Sequence, residues 1–155
     1  MLPHVFCSTL TNAFRARHSL VPLLYNAENL AMLSLLLRHG FLSSVSRGSK
    51  DSPEPTTFLT SSEQDRRIWA QLKYRDDMSV LNAVELVSKP SKKVYCSADD
   101  LYLLATGRRS NYVRPMSIGE IAIIQTKDGR GKRIWMEIRD AVRAKKSGEL
   151  LIRAR

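Results

Sequence analysis

The sequence predicts a fold of mixed helices and strands, because segments of helical period and segments of period two are interleaved along a chain without internal repeats. Its 155 residues suffice for one ordinary domain or two small ones. The 43% hydrophobic and 26% charged content is that of a chain that folds. A third observation concerns partners: Lys and Arg number 25 against 15 Asp and Glu. A surplus of that size favours a polyanion such as nucleic acid or an anionic membrane surface.

Leu2, Val5, Phe6, Thr9, Leu10 and Ala13 recur at helical spacing, which predicts an amphipathic helix over 2–17 with Arg15 and Arg17 in its last turn. Residues 19–24 read as a short strand or an extended passage. Asn26 is the expected N-cap of a second helix, Glu28 lies in its first turn, and Gly40 closes it after His39. That helix is apolar almost all round, so burial between other elements is expected. Phe41 to Val45 reads as a strand.

Residues 46–64 are rich in Ser, Pro and Gly and read as a long inserted loop that adds little to the core. Ile68, Ala70, Leu72 and Tyr74 alternate with Trp69, Gln71 and Lys73, a strand. Arg75-Asp76-Asp77 is a turn, and 74–79 is the best candidate for a domain boundary. Val80 to Ser88 is a second β segment. Ser97 and Asp100 have capping-box spacing and open a helix over 98–105, which stops at Gly107. Residues 107–116 are basic and irregular. Ile118 to Thr126 is a strand closed by Lys127-Asp128-Gly129, Ile134 to Met136 a short strand, 137–146 a basic helix, and Leu150 to Arg153 a last strand.

Charge is uneven. Residues 1–50 hold five basic and one acidic residue, 51–87 four and seven, and 88–155 sixteen and seven. A polyanion-binding surface therefore belongs to the last segment. Several classes of function are excluded or unsupported. Cys7 and Cys96 form no Cys-x-x-Cys, and the three histidines lie within the first 40 residues, so a zinc site has no ligand set and a reducing compartment is the simpler reading. Cys7 flanks the first helix's apolar stripe and is expected to be buried. No phosphate-binding Gly-rich loop occurs. The longest apolar run, Leu30 to Leu37, is too short to span a bilayer. No carboxylate pair, nucleophile–base pair or metal set clusters in sequence, so the chain reads as no enzyme, with no cofactor and no small-molecule substrate.

Five passages, in order, carry a resemblance. Leu10-Thr11-Asn12-Ala13 and Leu30 to Phe41 resemble the first two helices of the small-subunit ribosomal protein eight family. Ser88-Lys89-Pro90-Ser91-Lys92-Lys93-Val94-Tyr95 resembles its Ser-Arg-Pro-Gly-x-Arg-x-Tyr passage. Ile121 to Gly129 resembles its signature strand and loop, and Asp140-Ala141-Val142-Arg143 through Ser147-Gly148-Glu149-Leu150-Leu151 its closing segment. The chain departs from the bacterial pattern at 46–64, at 107–117 and around Arg130 to Met136, which look inserted, and at Gln125 and Lys127, which replace signature serines. These departures, with the Arg-bearing and acid-poor N-terminus, resemble a mitochondrial, fungal member.

The resemblance implies an α+β protein of two small α/β subdomains: helix–strand–helix–sheet over 1–78, and a β-rich domain with short helices over 79–155. It implies a structural constituent of the mitochondrial small ribosomal subunit, in the matrix, bound to the central domain of small-subunit rRNA and to neighbouring ribosomal proteins, and not to a membrane. The alternative is a basic RNA-processing or translation factor outside the mature ribosome. In the family the C-terminal domain supplies most RNA contacts, through the two loops just quoted.

The residue types agree. Gln125, Thr126, Lys127 and Gly129 present an amide, a hydroxyl, an ammonium and flexible backbone, suited to a base edge, a 2′-OH or a phosphate. This loop is expected to choose the RNA. Ser88, Lys89, Lys92, Lys93 and Tyr95 form a second patch, in which Tyr95 either stacks on RNA or packs in the core. Arg108, Arg109, Arg143, Lys145 and Lys146 are candidates for phosphate contacts, or plain surface charges. Glu149, in the family's terms, helps hold the RNA-binding loop. Trp69 and Trp135 read as packing residues. Arg15 and Arg17 suit rRNA, import targeting or a solvated helix end equally.

Overall fold

The structure is a computed structural model that describes residues 3–110 and 112–155; Leu2 of the expected first helix and Asn111 of the basic passage lie outside them. The chain divides after Asn82 into two units. The first has nine basic and seven acidic residues, the second sixteen and eight.

In the first unit, helix α1 (Pro3–Arg15) buries Phe6, Cys7, Leu10, Ala13 and Phe14 along one stripe. Strand β1 (Leu20–Leu24) turns Val21 and Leu23 inward and Leu20, Pro22 and Leu24 outward. The Asn26 side chain accepts the Asn29 N–H at 2.6 Å and starts α2 (Ala27–Arg38). Past its end Gly40 takes φ +80°, the left-handed turn that glycine enters freely. The expectation that α2 is buried all round is corrected: Met32, Leu33, Leu35 and Leu36 are buried, whereas Ser34, Leu37 and Arg38 face solvent. Strands β2 (Leu42–Gly48) and β3 (Arg67–Leu72) complete an antiparallel sheet in the order β1-β3-β2, with Val21 and Val45 both opposite Ala70.

The segment 46–64 is not a plain loop. Strand β2 runs to Gly48 because Ser46 and Arg47 pair with Trp69 and Ile68. Helix α3 (Pro55–Thr60) then buries Phe58. The Phe58 ring meets Tyr25 edge-on with centroids 5.0 Å apart, and the Arg47 and Arg66 guanidiniums lie 5.8 and 5.1 Å from its centre. One aromatic anchor is enough to fold an otherwise polar segment back onto the sheet. A small hairpin follows, β4 (Tyr74–Arg75) and β5 (Met78–Ser79), whose turn residues Asp76 and Asp77 both have positive φ.

The second unit contains β6 (Val84–Leu86), β7 (Tyr95–Cys96), α4 (Ala98–Ala105), β8 (Ile121–Lys127), β9 (Arg133–Glu137), α5 (Ile138–Arg143) and β10 (Gly148–Ala154). Its antiparallel sheet has the order β6-β10-β8-β9, and β7 also pairs with β10. One sheet face and the two helices bury Val94, Cys96, Leu101, Leu104, Ala122, Ile124, Ile138, Ala141 and Leu150. The capping box forms: the Ser97 hydroxyl accepts the Asp100 N–H, and the Asp100 carboxylate accepts the Ser97 N–H.

Several boundaries in this unit differ from the sequence reading. The second β segment shrinks to Val84–Leu86, the stretch that pairs with β10. Strand β8 begins at Ile121, because Gly119 turns the chain at φ +79° and leaves Ile118 fully exposed. The basic helix over 137–146 is only Ile138–Arg143. Glu137 pairs in β9 and caps α5, its carboxylate accepting the Arg139 N–H at 2.7 Å. After α5 the N–H groups of Lys145 and Lys146 bond back to Val142 and Ala141, with Lys145 at φ +49°. Finally, β10 starts two residues early, at Gly148.

Candidate nucleic-acid interface

Strand register assembles the site. Tyr95 lies opposite Glu149, Glu149 opposite Gln125, and Gln125 opposite Trp135. Residues directly opposite in antiparallel strands project from the same face, so four strands contribute one row of side chains. Tyr95 is 66% exposed, which rules out the core reading and leaves its ring free to stack. Trp135 is half-buried beside Gln125. The Gln125 amide is partly exposed and makes no hydrogen bond among the described residues.

Glu149 is buried beneath Tyr95 and Gln125, and its Oε2 lies 3.4 Å from Lys93 Nζ. The pair is unequal: the lysine end is half-exposed and the carboxylate almost closed off. Glu149 thus anchors the Lys93 side chain while leaving part of the ammonium facing solvent. A cleft of about 510 Å3 opens along this row, lined by Lys93, Tyr95, Gln125, Thr126, Lys127, Arg133, Ser147, Gly148 and Glu149. Lys127 and Arg133 face each other across β8 and β9, and both are exposed without an acidic partner among the described residues. The cleft thus offers three cations, one carboxylate already engaged by a cation, a free amide and an open aromatic ring. That set suits a polyanion carrying flat bases.

Six of the candidate residues therefore meet in one place: Lys93, Tyr95, Gln125, Thr126, Lys127 and Glu149. Besides Glu149, two of the candidates, Thr126 inside the cleft and Ser88 outside it, are buried. Thr126 lies on a strand, as the sequence reading has it, but is buried, and its hydroxyl donates to the Ser147 carbonyl at 2.7 Å. The strand alternates, so Gln125 faces the cleft and Thr126 ties β8 to the turn before β10. Ser88 is likewise buried; its hydroxyl accepts the Val94 N–H at 2.9 Å and closes the Lys89–Lys92 hairpin.

The remaining candidates lie outside this cleft. Lys89 and Lys92 line a separate notch. Arg108 and Arg109 are exposed beyond α4. Arg143 is exposed and 3.4 Å from Asp140, and Lys145 and Lys146 follow it in the turn. A β-carbon built on Gly129 would have nothing within 4 Å; the Gly129 N–H bonds to Asp128 Oδ1 in a loop that closes with Asp128 N–H on the Lys132 carbonyl.

Sequence reasoning missed Arg133 and the structural demand on Gly148. Arg133 becomes visible once the hairpin loop is placed at 128–132, which sets it opposite Lys127. Gly148 stands where any β-carbon would run into the Gln125 backbone. A network of charges supports the far end of the sheet. Arg153, 3% exposed, donates to both Glu120 oxygens at 2.9 and 2.6 Å and to the carbonyls of Arg114 and Pro115 at 2.7 and 2.8 Å. Burial pushes the Glu120 carboxyl up. The Arg153 hydrogen bonds, the Ser117 N–H and the Arg153 and Arg114 charges outweigh it and hold the carboxyl below its usual range.

Residues 5–153 match the model of the family described as Ribosomal protein S8. The chain is 34% identical over 154 residues to the small ribosomal subunit protein uS8m of Schizosaccharomyces pombe, covering 98% of each. It is 34% identical over 157 residues to the protein of the same name from Neurospora crassa, covering 96% of this chain and 94% of that one. It is 26% identical over 99 residues to the small ribosomal subunit protein uS8 of Mycoplasmopsis synoviae, covering 63% of this chain and 66% of that one.

Proposed function

The chain belongs to the ribosomal protein S8 family, and from that premise we propose that the cleft along Tyr95, Glu149 and Gln125 is its rRNA-binding surface. The chain is a structural, non-enzymatic constituent of the mitochondrial small ribosomal subunit, associated with rRNA and other ribosomal proteins. The RNA it holds is the central domain of the mitochondrial small-subunit rRNA. The observation that carries the assignment of the surface is the charge of the second unit, with Lys93, Lys127 and Arg133 gathered round an unoccupied amide and an exposed tyrosine ring.

Cations fix the RNA backbone without reading sequence, whereas Gln125 can donate to and accept from a base edge or a 2′-OH. Tyr95 adds a stacking face that tolerates any base. Glu149 acts through Lys93, as a positioning residue. The first unit, close to neutral in charge, is the part left to contact neighbouring proteins.

The test is sedimentation of native mitochondrial ribosomes together with titration of the chain against a central-domain stem. The chain should travel with small subunits through a salt wash. With about six phosphates neutralised, log K should fall with log salt at a slope of roughly −4 to −5. A chain found only as a free pool would support a processing or translation factor instead.

A further inference from the structure

We propose that the notch between the Lys89–Lys92 hairpin and Tyr112 is a second RNA site, which holds a single unpaired nucleotide with its base against the Tyr112 ring and its phosphate at Lys89 and Lys92. The proposal rests on the RNA-binding reading of this unit, in which the Lys89–Lys92 passage is already a candidate contact, and adds to it a ligand form and the residue Tyr112.

One wall is the hairpin. Lys89 and Lys92 exchange N–H to carbonyl hydrogen bonds of 3.0 Å, so Pro90 and Ser91 form its tip, and the buried Ser88 hydroxyl pins the base to Val94. The other wall is the passage that follows α4. The Ser110 hydroxyl donates to Asp100 at 2.6 Å, the Val113 N–H reaches the Ser110 carbonyl at 3.0 Å, and the Met116 N–H reaches Leu104 at 3.2 Å. Arg153 grips the Arg114 and Pro115 carbonyls from below. Tyr112 is therefore carried on backbone tied down on both sides, yet its side chain is 57% exposed. Lys92 Nζ stands 4.4 Å from the centre of its ring.

The notch between these walls has a volume of about 300 Å3 and an apolar floor that includes Leu86, Val87 and Val94. Its one carboxylate, Glu85, is already taken by Arg114 at 2.9 Å and Arg155 at 3.4 Å. Lys89 and Lys92 have no acidic partner among the described residues, so the notch is positive at its rim and apolar beneath. A bare phosphate would leave the floor and the ring unused, and an acidic peptide brings charge but no flat ring. A nucleotide uses all three features. A paired base keeps its faces against its neighbours, so the form that fits is an unpaired one.

The probe is a single-stranded oligouridylate carrying 5-iodouridine, set beside a fully paired central-domain stem, both titrated against the full chain. Light should join the oligouridylate to Tyr112. Tyr112→Leu should lower its affinity about tenfold, leave the paired stem unchanged and keep the apolar bulk of the site. Tyr112→Phe should bind as the wild type does. Gln125→Ala should do the reverse, weakening the stem and sparing the single strand. If Tyr112→Leu binds the oligouridylate as the wild type does, or the crosslink falls elsewhere, the notch is no nucleotide site, while a stem still weakened by Gln125→Ala leaves the proposed function standing. An acidic peptide that displaces the single strand at equal concentration would also overturn RNA as the occupant. Only failure of the stem to bind at all counts against the RNA-binding reading itself.

Discussion

Gly148 faces the Gln125 carbonyl so closely that a β-carbon built on it would overlap that carbonyl and press on Thr126 Cβ at 3.3 Å. The absence of a side chain lets β10 meet β8 at the place where the cleft is formed. Gly148→Ala should therefore cost roughly 1–3 kcal/mol, the usual scale of forced overpacking, and weaken the rRNA stem as well. Gly129→Ala, with nothing within 4 Å of its β-carbon, should change stability by less than about 0.5 kcal/mol. Urea unfolding of both variants distinguishes the two glycines.

Thr126 and Gln125, neighbours on one strand, should separate cleanly. Thr126→Val removes the donor to the Ser147 carbonyl and should destabilise by about 1–2 kcal/mol. Gln125→Ala removes an amide with no partner among the described residues and should leave stability within about 0.5 kcal/mol. Its effect should appear as an affinity loss for the cognate stem of about fivefold or more. Equal loss on cognate and unrelated hairpins in the Gln125 variant would make it a phosphate contact only.

Glu120 gives the protein an acid limit. Its carboxyl is held below the usual range when folded, so its stabilisation is complete above the unfolded value of about 4.3. It is lost as pH falls through the folded value. The wild type should thus lose stability as pH is lowered below about 5, measured by denaturant midpoints. Glu120→Gln should flatten that slope while costing about 3–5 kcal/mol at neutral pH, because Arg153 is then buried without its counter-charge.

Lys145 occupies a left-handed position, φ +49°, that Gly40 and Gly107 fill after two other helices. Lys145→Gly should raise stability by about 0.5–1 kcal/mol by relieving that geometry. It should also lower RNA affinity with a salt slope flatter by up to about one unit if the lysine meets a phosphate. Thermal unfolding and a salt titration of the same variant give both readings.

Phe58 tests the segment 46–64. Phe58→Ala should cost roughly 2–3 kcal/mol, because the ring is buried against Tyr25, Arg47 and Arg66. The adjacent Leu59, 79% exposed, should tolerate Ala within about 0.5 kcal/mol. Deleting 50–62, which a loop would survive, should destabilise by at least as much as Phe58→Ala.

What was legible in the sequence was local. Asn26, the Ser97–Asp100 box, Gly40 and Gly107 mark helix ends because each acts within one turn of itself. Phe58 escaped notice because a single aromatic among Ser, Thr and Pro has no period. The parity of Gln125 and Thr126 was hidden for a related reason: Ile121 to Ile124 are all buried, so the strand shows no alternation to extrapolate from. The row from Tyr95 to Trp135 depends on register between segments far apart in sequence, and no local pattern states it. The motif resemblance points to segments, and strand pairing decides which side chain in each segment faces outward.

The position of β10 also has a consequence in time. It lies between β8 and both β6 and β7, yet it follows all of them in the chain. A nascent polypeptide emerging from the exit tunnel can form the hairpin of β8 and β9, but Tyr95 and Gln125 cannot be brought together until the strand carrying Glu149 has also emerged. Assembly of the cleft, and with it the RNA recognition proposed for it, is thus postponed to the end of synthesis, and a stalled or shortened copy lacks that surface.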